Sequence, residues 1–219
     1  MRKIIVWSLV GLVMLCSMGC GQKAAKENDG EKDVEVIASA EDSTRRTEED
    51  KMFSEVKQAA EEGDVDAQYY VACIYYFGDG VDANLEKAIY WLKKAAEGGI
   101  AEAQNKLGIC YAKGEGVSQD VVMSTYWWKM AAEKGNVDAQ YNLGFNYYEG
   151  TGVEMDRSQA VYWWERAAES GFADAQRLLG ICYKKGEGVD VNLEKAAYWR
   201  KKYEENPNKD VRTSPVNPN

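Results

Sequence analysis

Five cysteines and two matching glutamates are the residues of this 219-residue chain that could take part in bond-making chemistry. Cys110 and Cys182 stand inside near-identical decapeptides, GICYAKGEGV at 108–117 and GICYKKGEGV at 180–189. Each is followed five residues on by a glutamate, Glu115 or Glu187. A thiol can close a disulfide or attack as thiolate, and two carboxylates can divide acid and base work. Such groups are commonly completed by histidine, which is absent from this chain. With it go the commonest general base, the commonest metal ligand and the near-neutral proton switch. An enzyme is not the expectation, and no catalytic residue, cofactor or metal site is assigned.

The elements that carry these residues explain their spacing. Gly63, Gly99, Gly135 and Gly171 open four units, 63–98, 99–134, 135–170 and 171–206, each of 36 residues with no insertion or deletion. Every unit repeats Ala-Gln (Ala67-Gln68, Ala103-Gln104, Ala139-Gln140, Ala175-Gln176) and a tyrosine at its thirteenth place (Tyr75, Tyr111, Tyr147, Tyr183). Every unit then repeats Gly-x-Gly-Val from Gly78, Gly114, Gly150 and Gly186, and Tyr-Trp from Tyr90, Tyr126, Tyr162 and Tyr198. Cys110 and Cys182 hold one place two units apart, too far for a bond, and read as small buried side chains. Glu115 and Glu187, equally separated, read as solvated turn residues.

Within a unit, Ala103, Leu107 and Cys110 or Tyr111 recur at helical spacing and give a first helix, A, with one apolar face. Gly108 lets another helix approach. The acids Asp66, Glu102, Asp138 and Asp174 complement the positive end of the helix dipole. Gly78 and its equivalents stop helix A, and Asn84, Asp120, Asp156 and Asn192 are N-cap candidates for a second helix, B. Ala88, Trp91 or Leu92, and Ala95-Ala96 form its buried side. Two such helices cannot hide their apolar faces alone, so the units stack. The expected fold is all-α: an α-solenoid of four helix-turn-helix repeats over 47–206, with an N-terminal half-repeat helix that turns Phe53 and Val56 towards the array. Arg200, Lys201 and Lys202 make the last helix a polar cap.

The ends read differently. Arg2 and Lys3 precede an apolar run from Ile4 to Gly19, which fits a signal peptide over 1–19. The stretch Ser17-Met18-Gly19-Cys20 resembles a bacterial lipoprotein signal, which implies lipidation at Cys20, an outer-membrane address and a membrane anchor. Ser17 departs from the Leu usual at its place, and ordinary cleavage near Gly19 is the competing reading. Residues 20–46, without an aromatic, read as a flexible tether, and 207–219 as a disordered tail. The net charge of −9 and the lack of a basic run argue against nucleic acid as a partner.

The unit GNVDAQYNLGFNYYEGTGVEMDRSQAVYWWERAAES resembles a Sel-1-like repeat, a relative of the tetratricopeptide repeat that here has 36 residues and a closing Gly in place of Pro. The resemblance implies a scaffold or adaptor in the cell envelope with a protein or peptide partner. By analogy with the tetratricopeptide groove, places 4, 7, 11 and 14 of helix A line the concave side. These include Tyr69, Cys73 and Tyr76, then Asn105 and Ile109, then Tyr141, Phe145 and Tyr148, and finally Arg177, Ile181 and Lys184. Tyr141 and Tyr148 read equally as groove contacts or as packing, and packing is favoured for Phe145. The pairs Trp127-Trp128 and Trp163-Trp164 read as core. Cysteine-rich Helicobacter members of the family pair a cysteine in each helix of the unit, whereas helix B here has none. Those members imply the alternatives of an envelope hydrolase or a penicillin-binding enzyme; an immunity factor or a structural spacer is a further one.

Overall fold

The computed structural model describes residues 48–210. The expected signal, Cys20 and the tether lie outside the described residues, as does the tail beyond Asp210. A helix α1 occupies 48–61. It is followed by α2 (Val65–Phe77), α3 (Leu85–Glu97), α4 (Ala101–Lys113), α5 (Val121–Glu133), α6 (Val137–Glu149), α7 (Arg157–Glu169), α8 (Ala173–Lys185) and α9 (Leu193–Glu204). Among the described residues there is no strand. Helices α2, α4, α6 and α8 are the A helices of units one to four; α3, α5, α7 and α9 are the B helices.

The boundaries follow from local chemistry. Gly78, Gly114, Gly150 and Gly186 close the A helices in the left-handed region, with φ of 73°, 73°, 72° and 76°. A residue with Cβ is strained there, which is why every unit keeps the glycine. The amides of Asn84, Asp120, Asp156 and Asn192 return to the carbonyls of Tyr75, Tyr111, Tyr147 and Tyr183 at 2.8–2.9 Å and fasten each turn. The side chains of those four residues then cap the B helices, as with Asn84 Oδ1 accepting from the Lys87 amide at 2.9 Å.

Each helix packs on its neighbours in sequence, first within a hairpin and then across to the next unit. Alanine makes this close. Ala67, Ala103, Ala139 and Ala175 on the A helices and Ala95, Ala131 and Ala167 on the B helices are fully buried. The shared glutamines tie one unit to the next. Nε2 of Gln68, Gln104, Gln140 and Gln176 donates to the carbonyl of Ala60, Ala96, Ala132 and Ala168, each at 2.9–3.2 Å. Each of these carbonyls also accepts from the amide of Gly63, Gly99, Gly135 or Gly171 at 3.0–3.2 Å, so the glutamine adds a second, buried bond that joins the units and contributes about 1 kcal/mol.

Gly108 and Gly144 admit the indoles of Trp128 and Trp164 from the B helix of their own unit; a Cβ on Gly108 would meet Trp128 Cδ1 at 2.6 Å. Unit one has Ala72 and Leu92 at these places, a larger residue against a smaller partner. In unit four Gly180 faces Arg200, and a Cβ there would find its nearest atoms at 3.5 Å. Arg200 turns outward to Glu204, with Nε 2.8 Å from Oε1. This is the polar cap expected at the end of the array. At the other end Val56 is buried and Phe53 packs edge-on against Tyr75 at 5.7 Å, so α1 covers unit one as a half repeat.

Candidate functional site

Places 7, 11 and 14 of each A helix fall on one helical face, since they are separated by four and then three residues. Along the array this face carries Tyr69, Cys73 and Tyr76; then Asn105, Ile109 and Ala112; then Tyr141, Phe145 and Tyr148; then Arg177, Ile181 and Lys184. Most are half-buried, Arg177 and Lys184 are exposed, and Ala112 and Tyr141 are buried. The structure therefore brings the predicted residues together on one surface, but not all of them present themselves to a partner.

Tyr141 is 3% exposed. Its ring lies 5.0 Å from Phe145 and 4.7 Å from Phe172 of the following unit, and its carbonyl accepts from Trp164 Nε1 at 3.2 Å. Of its two readings, packing is the one the geometry supports. Phe145 packs edge-on against Trp164 at 5.2 Å while keeping part of its ring in solvent.

Tyr148 and Tyr76 do something the sequence does not announce. The Tyr148 hydroxyl donates to Glu187 Oε2 at 2.8 Å, and the Tyr76 hydroxyl donates to Glu115 Oε2. In each case the tyrosine of one unit holds the turn glutamate of the next. The reading of Glu115 and Glu187 as solvated turn residues is corrected on this point: their side chains are 32% and 23% exposed and engaged in hydrogen bonds. The Tyr148 hydroxyl holds the Glu187 carboxyl below its ordinary range, with Lys185 nearby adding to the effect. Cations cover the rings: Lys106 Nζ lies 3.7 Å from the Tyr76 centroid and the Arg157 guanidinium 5.1 Å from that of Tyr148. A sequence signal existed. Units with Tyr at place 14 are followed by Glu in the next turn, whereas Ala112 is followed by Thr151.

The thiols are quiet. Cys73, Cys110 and Cys182 are free, and burial pushes Cys110 and Cys182 up to about 11. A thiol so shifted is almost wholly protonated near neutrality and a poor nucleophile. The expectation that the chain lacks Ser-x-x-Lys is corrected by one such spacing on α1: Ser54 is exposed and Lys57 Nζ sits 3.9 Å from Glu61. Among the described residues no three His, Cys, Asp or Glu side chains gather to hold a metal, and no helix is long and apolar enough to cross a membrane.

A feature that the groove argument missed lies on the B helices. Tyr90, Tyr126, Tyr162 and Tyr198 are 44–54% exposed, each resting edge-on against the tryptophan beside it with centroids 5.0 Å apart. They share the Tyr-Trp motif, whose tryptophans are buried as expected.

The Sel1 repeat model matches residues 65–100, 101–136, 137–172 and 173–202. The chain is similar to a protective antigen of uropathogenic Escherichia coli strains that displays the SLR fold, at 38% identity and a TM-score of 0.67, over 71% of this chain and 33% of that one. It is similar to a Sel1 repeat protein from Oxalobacter formigenes at 33% identity and a TM-score of 0.66, over 71% of this chain and 64% of that one. Cysteine-rich protein B of Helicobacter pylori matches at 25% identity and a TM-score of 0.48, over 58% of this chain and 96% of that one. The chain thus spans about a third of the first protein and under two thirds of the second. No curated protein matches it significantly.

Proposed function

This chain belongs to the Sel1 repeat family, whose members are scaffolds that often mediate protein–protein interaction and are typically non-catalytic, and from that premise we propose an exported, membrane-anchored adaptor. It binds a protein or peptide across the A-helix face. The observation that carries this reading is a contrast between shared and variable residues. The Ala-Gln pair and the tryptophan of Tyr-Trp, shared by every unit, are buried, and of the shared aromatics the tyrosine of Tyr-Trp is exposed. Those that differ between units, Tyr69, Asn105, Ile109, Phe145, Arg177, Ile181 and Lys184, share one face and keep part or all of their surface in solvent. A partner can be told from others only by residues that vary.

The face has a gradient of character. Aromatic and apolar surface dominates units one to three, and basic charge appears in unit four, with Arg177 and Lys184 exposed and Asp174 paired to Arg177 at 3.5 Å. A partner segment that is apolar at one end and acidic at the other fits it. Tyrosine and arginine supply large contact area and charge-assisted bonds at such surfaces. Anchoring would be through lipid at Cys20. The apolar run from Ile4 to Gly19 behind Arg2 and Lys3 supports the exported reading.

Affinity capture from the protein's own cells tests the binding claim. The variant Arg177→Glu with Ile181→Ser and Lys184→Glu is expected to lose a partner that the wild type retains; equal recovery places binding elsewhere. Incorporation of a labelled lipid precursor, lost in Cys20→Ala, tests the anchor, and labelling unchanged by the substitution refutes it.

A further inference from the structure

The three junctions between units are built differently, and the middle one stands apart. Units one and two are braced by Tyr76 on Glu115, and units three and four by Tyr148 on Glu187. The outer junction of units three and four has a second brace, in which the Tyr183 hydroxyl donates to Glu165 Oε1 at 2.5 Å. At the centre, Ala112 and Thr151 stand where the other two junctions have tyrosine and glutamate. Lys129, like Lys93 at the first junction, stands where unit three has Glu165.

The core changes character at the same place. Ser124 takes the position of Ala88, Ala160 and Ala196, and Thr125 that of Ile89 and Val161. On the facing helix α6, Asn146 takes the position of Ile74, Cys110 and Cys182. All three polar residues are at least nine-tenths buried. Asn146 Nδ2 donates to Thr125 Oγ1 at 2.6 Å, and the single Thr125 hydroxyl proton has two carbonyls within reach, those of Val121 at 2.8 Å and Thr151 at 3.1 Å. Among the described residues the buried side-chain polar atoms without a partner all lie in units two and three: Gln104 Oε1, Asn105 Oδ1 and Trp127 Nε1 towards unit one, and Ser124 Oγ, Trp128 Nε1, Gln140 Oε1 and Trp163 Nε1 towards the centre. The matching indole of unit three, Trp164, has its acceptor, the Tyr141 carbonyl. The apolar core divides accordingly. One cluster joins α1 and unit one to unit two as far as Trp127, another joins units three and four, and the contact between α5 and α6 is left with a smaller group of Trp128, Ala131, Ala132, Ala139, Leu143 and Trp163.

These differences act in one direction. Opening an apolar junction exposes surface that water does not welcome, whereas opening this one lets water replace the Thr125–Asn146 bonds and hydrate Ser124 Oγ and the Trp128 and Trp163 indoles, which lack a partner when closed. Free energies of local opening vary across a fold, and contiguous elements open together. We infer that the array is jointed at its centre, with units one and two forming one rigid pair, units three and four the other, and the α5–α6 contact the point at which they part. The inference stands apart from the binding proposal and survives its failure. Its consequence is that α5 and α6 open locally before the rest of either pair, so that Asn105 and Ile109 on one side, and Phe145 on the other, can change their relative placement while the outer helices stay folded.

Amide hydrogen exchange on the full chain tests it. Fraying from the ends would make the flanking junctions exchange faster than the centre. The joint predicts the reverse: peptides of α5 and α6 exchange at least about tenfold faster than those of α3–α4 and α7–α8. The variant Ser124→Ala, Thr125→Val and Asn146→Cys installs residues that the chain itself uses at Ala160, Val161 and Cys182. It is expected to slow exchange in α5 and α6 towards that of the flanking junctions and to leave the latter unchanged. Central amides as protected as their neighbours in the wild type overturn the inference outright, whatever the variant does. A well-folded variant in which α5 and α6 still exchange fast overturns it as well.

Discussion

Gly144→Ala and Gly180→Ala make the same chemical change at equivalent places 36 residues apart, and the structure assigns them opposite signs. Both glycines lie inside A helices, where replacing glycine by alanine gains about 1 kcal/mol of helix propensity. At Gly180 the added methyl finds Ala196 O at 3.5 Å and Arg200 N at 3.6 Å, ordinary contacts, so that gain survives. At Gly144 it lands on the Trp164 indole, with Cδ1 at 2.5 Å. The ring is 1% exposed and pinned through Nε1 to the Tyr141 carbonyl, so it has nowhere to go. Overpacking a closed core costs about 1–3 kcal/mol and the lost hydrogen bond about 1 kcal/mol more. The net is a loss of roughly 1–3 kcal/mol for Gly144→Ala against a gain of about 0.5–1 kcal/mol for Gly180→Ala. Urea unfolding followed by far-UV circular dichroism reads both on the full chain. Adding Trp164→Leu to Gly144→Ala recreates the Ala72–Leu92 pair of unit one and should recover part of the loss. Equal shifts for the two glycines, or stabilisation by Gly144→Ala, would refute the packing argument.

Other consequences are smaller but separate. A double-mutant cycle of Tyr148→Phe and Glu187→Gln should give a coupling of about 0.5–1.5 kcal/mol, measured by chemical unfolding; a coupling near zero would mean the contact braces nothing. Burial raises the hydroxyls of Tyr69 and Tyr141, and burial with the Glu115 contact raises that of Tyr76. The folded state therefore keeps protons that the unfolded chain sheds near pH 10, so stability is complete below that pH and falls as pH rises above it. A denaturation midpoint that holds steady from pH 9 to 11 contradicts this. Gln176→Met should cost about 1–2 kcal/mol by removing the buried bonds that its side chain makes to the Ala168 carbonyl and with Asn206, read as a lower thermal midpoint. Cys110 and Cys182 should resist a thiol reagent at pH 8 until the chain unfolds; prompt native-state reaction of either would contradict their burial.

Much of the fold was legible because each unit states it again. Gly-x-Gly-Val, the N-cap residues and the alanines are local signals, and four copies in register remove the ambiguity that a single short helix leaves. The half-repeat at Phe53 and Val56 and the polar cap at Arg200 were legible for the same reason, as departures from a known pattern. The binding face was legible only in part. Helical spacing places Tyr141 and Tyr148 on the surface that faces out of the array, but it cannot tell how closely the next unit approaches. Phe172, arriving from that unit, is what seals Tyr141. The Tyr–Glu brace joins residues 39 apart, and no local rule predicts a contact between a helix end and the following turn. Its trace in the sequence is the matched change from Tyr and Glu to Ala112 and Thr151. The exposed tyrosines of the B helices escaped notice because a motif shared by all units reads as core, and only its tryptophan is.

The proposal that a partner sits on the variable side of the A helices is tested most directly by a photoreactive residue introduced singly at Ile109, Arg177 or Tyr126 and irradiated in living cells. The first two lie on the A-helix face and the third, 50% exposed, on α5. The account predicts one shared covalent adduct from Ile109 and Arg177 and none of that mass from Tyr126. An adduct formed from Tyr126 but from neither of the others would contradict it and move the binding surface to the B helices.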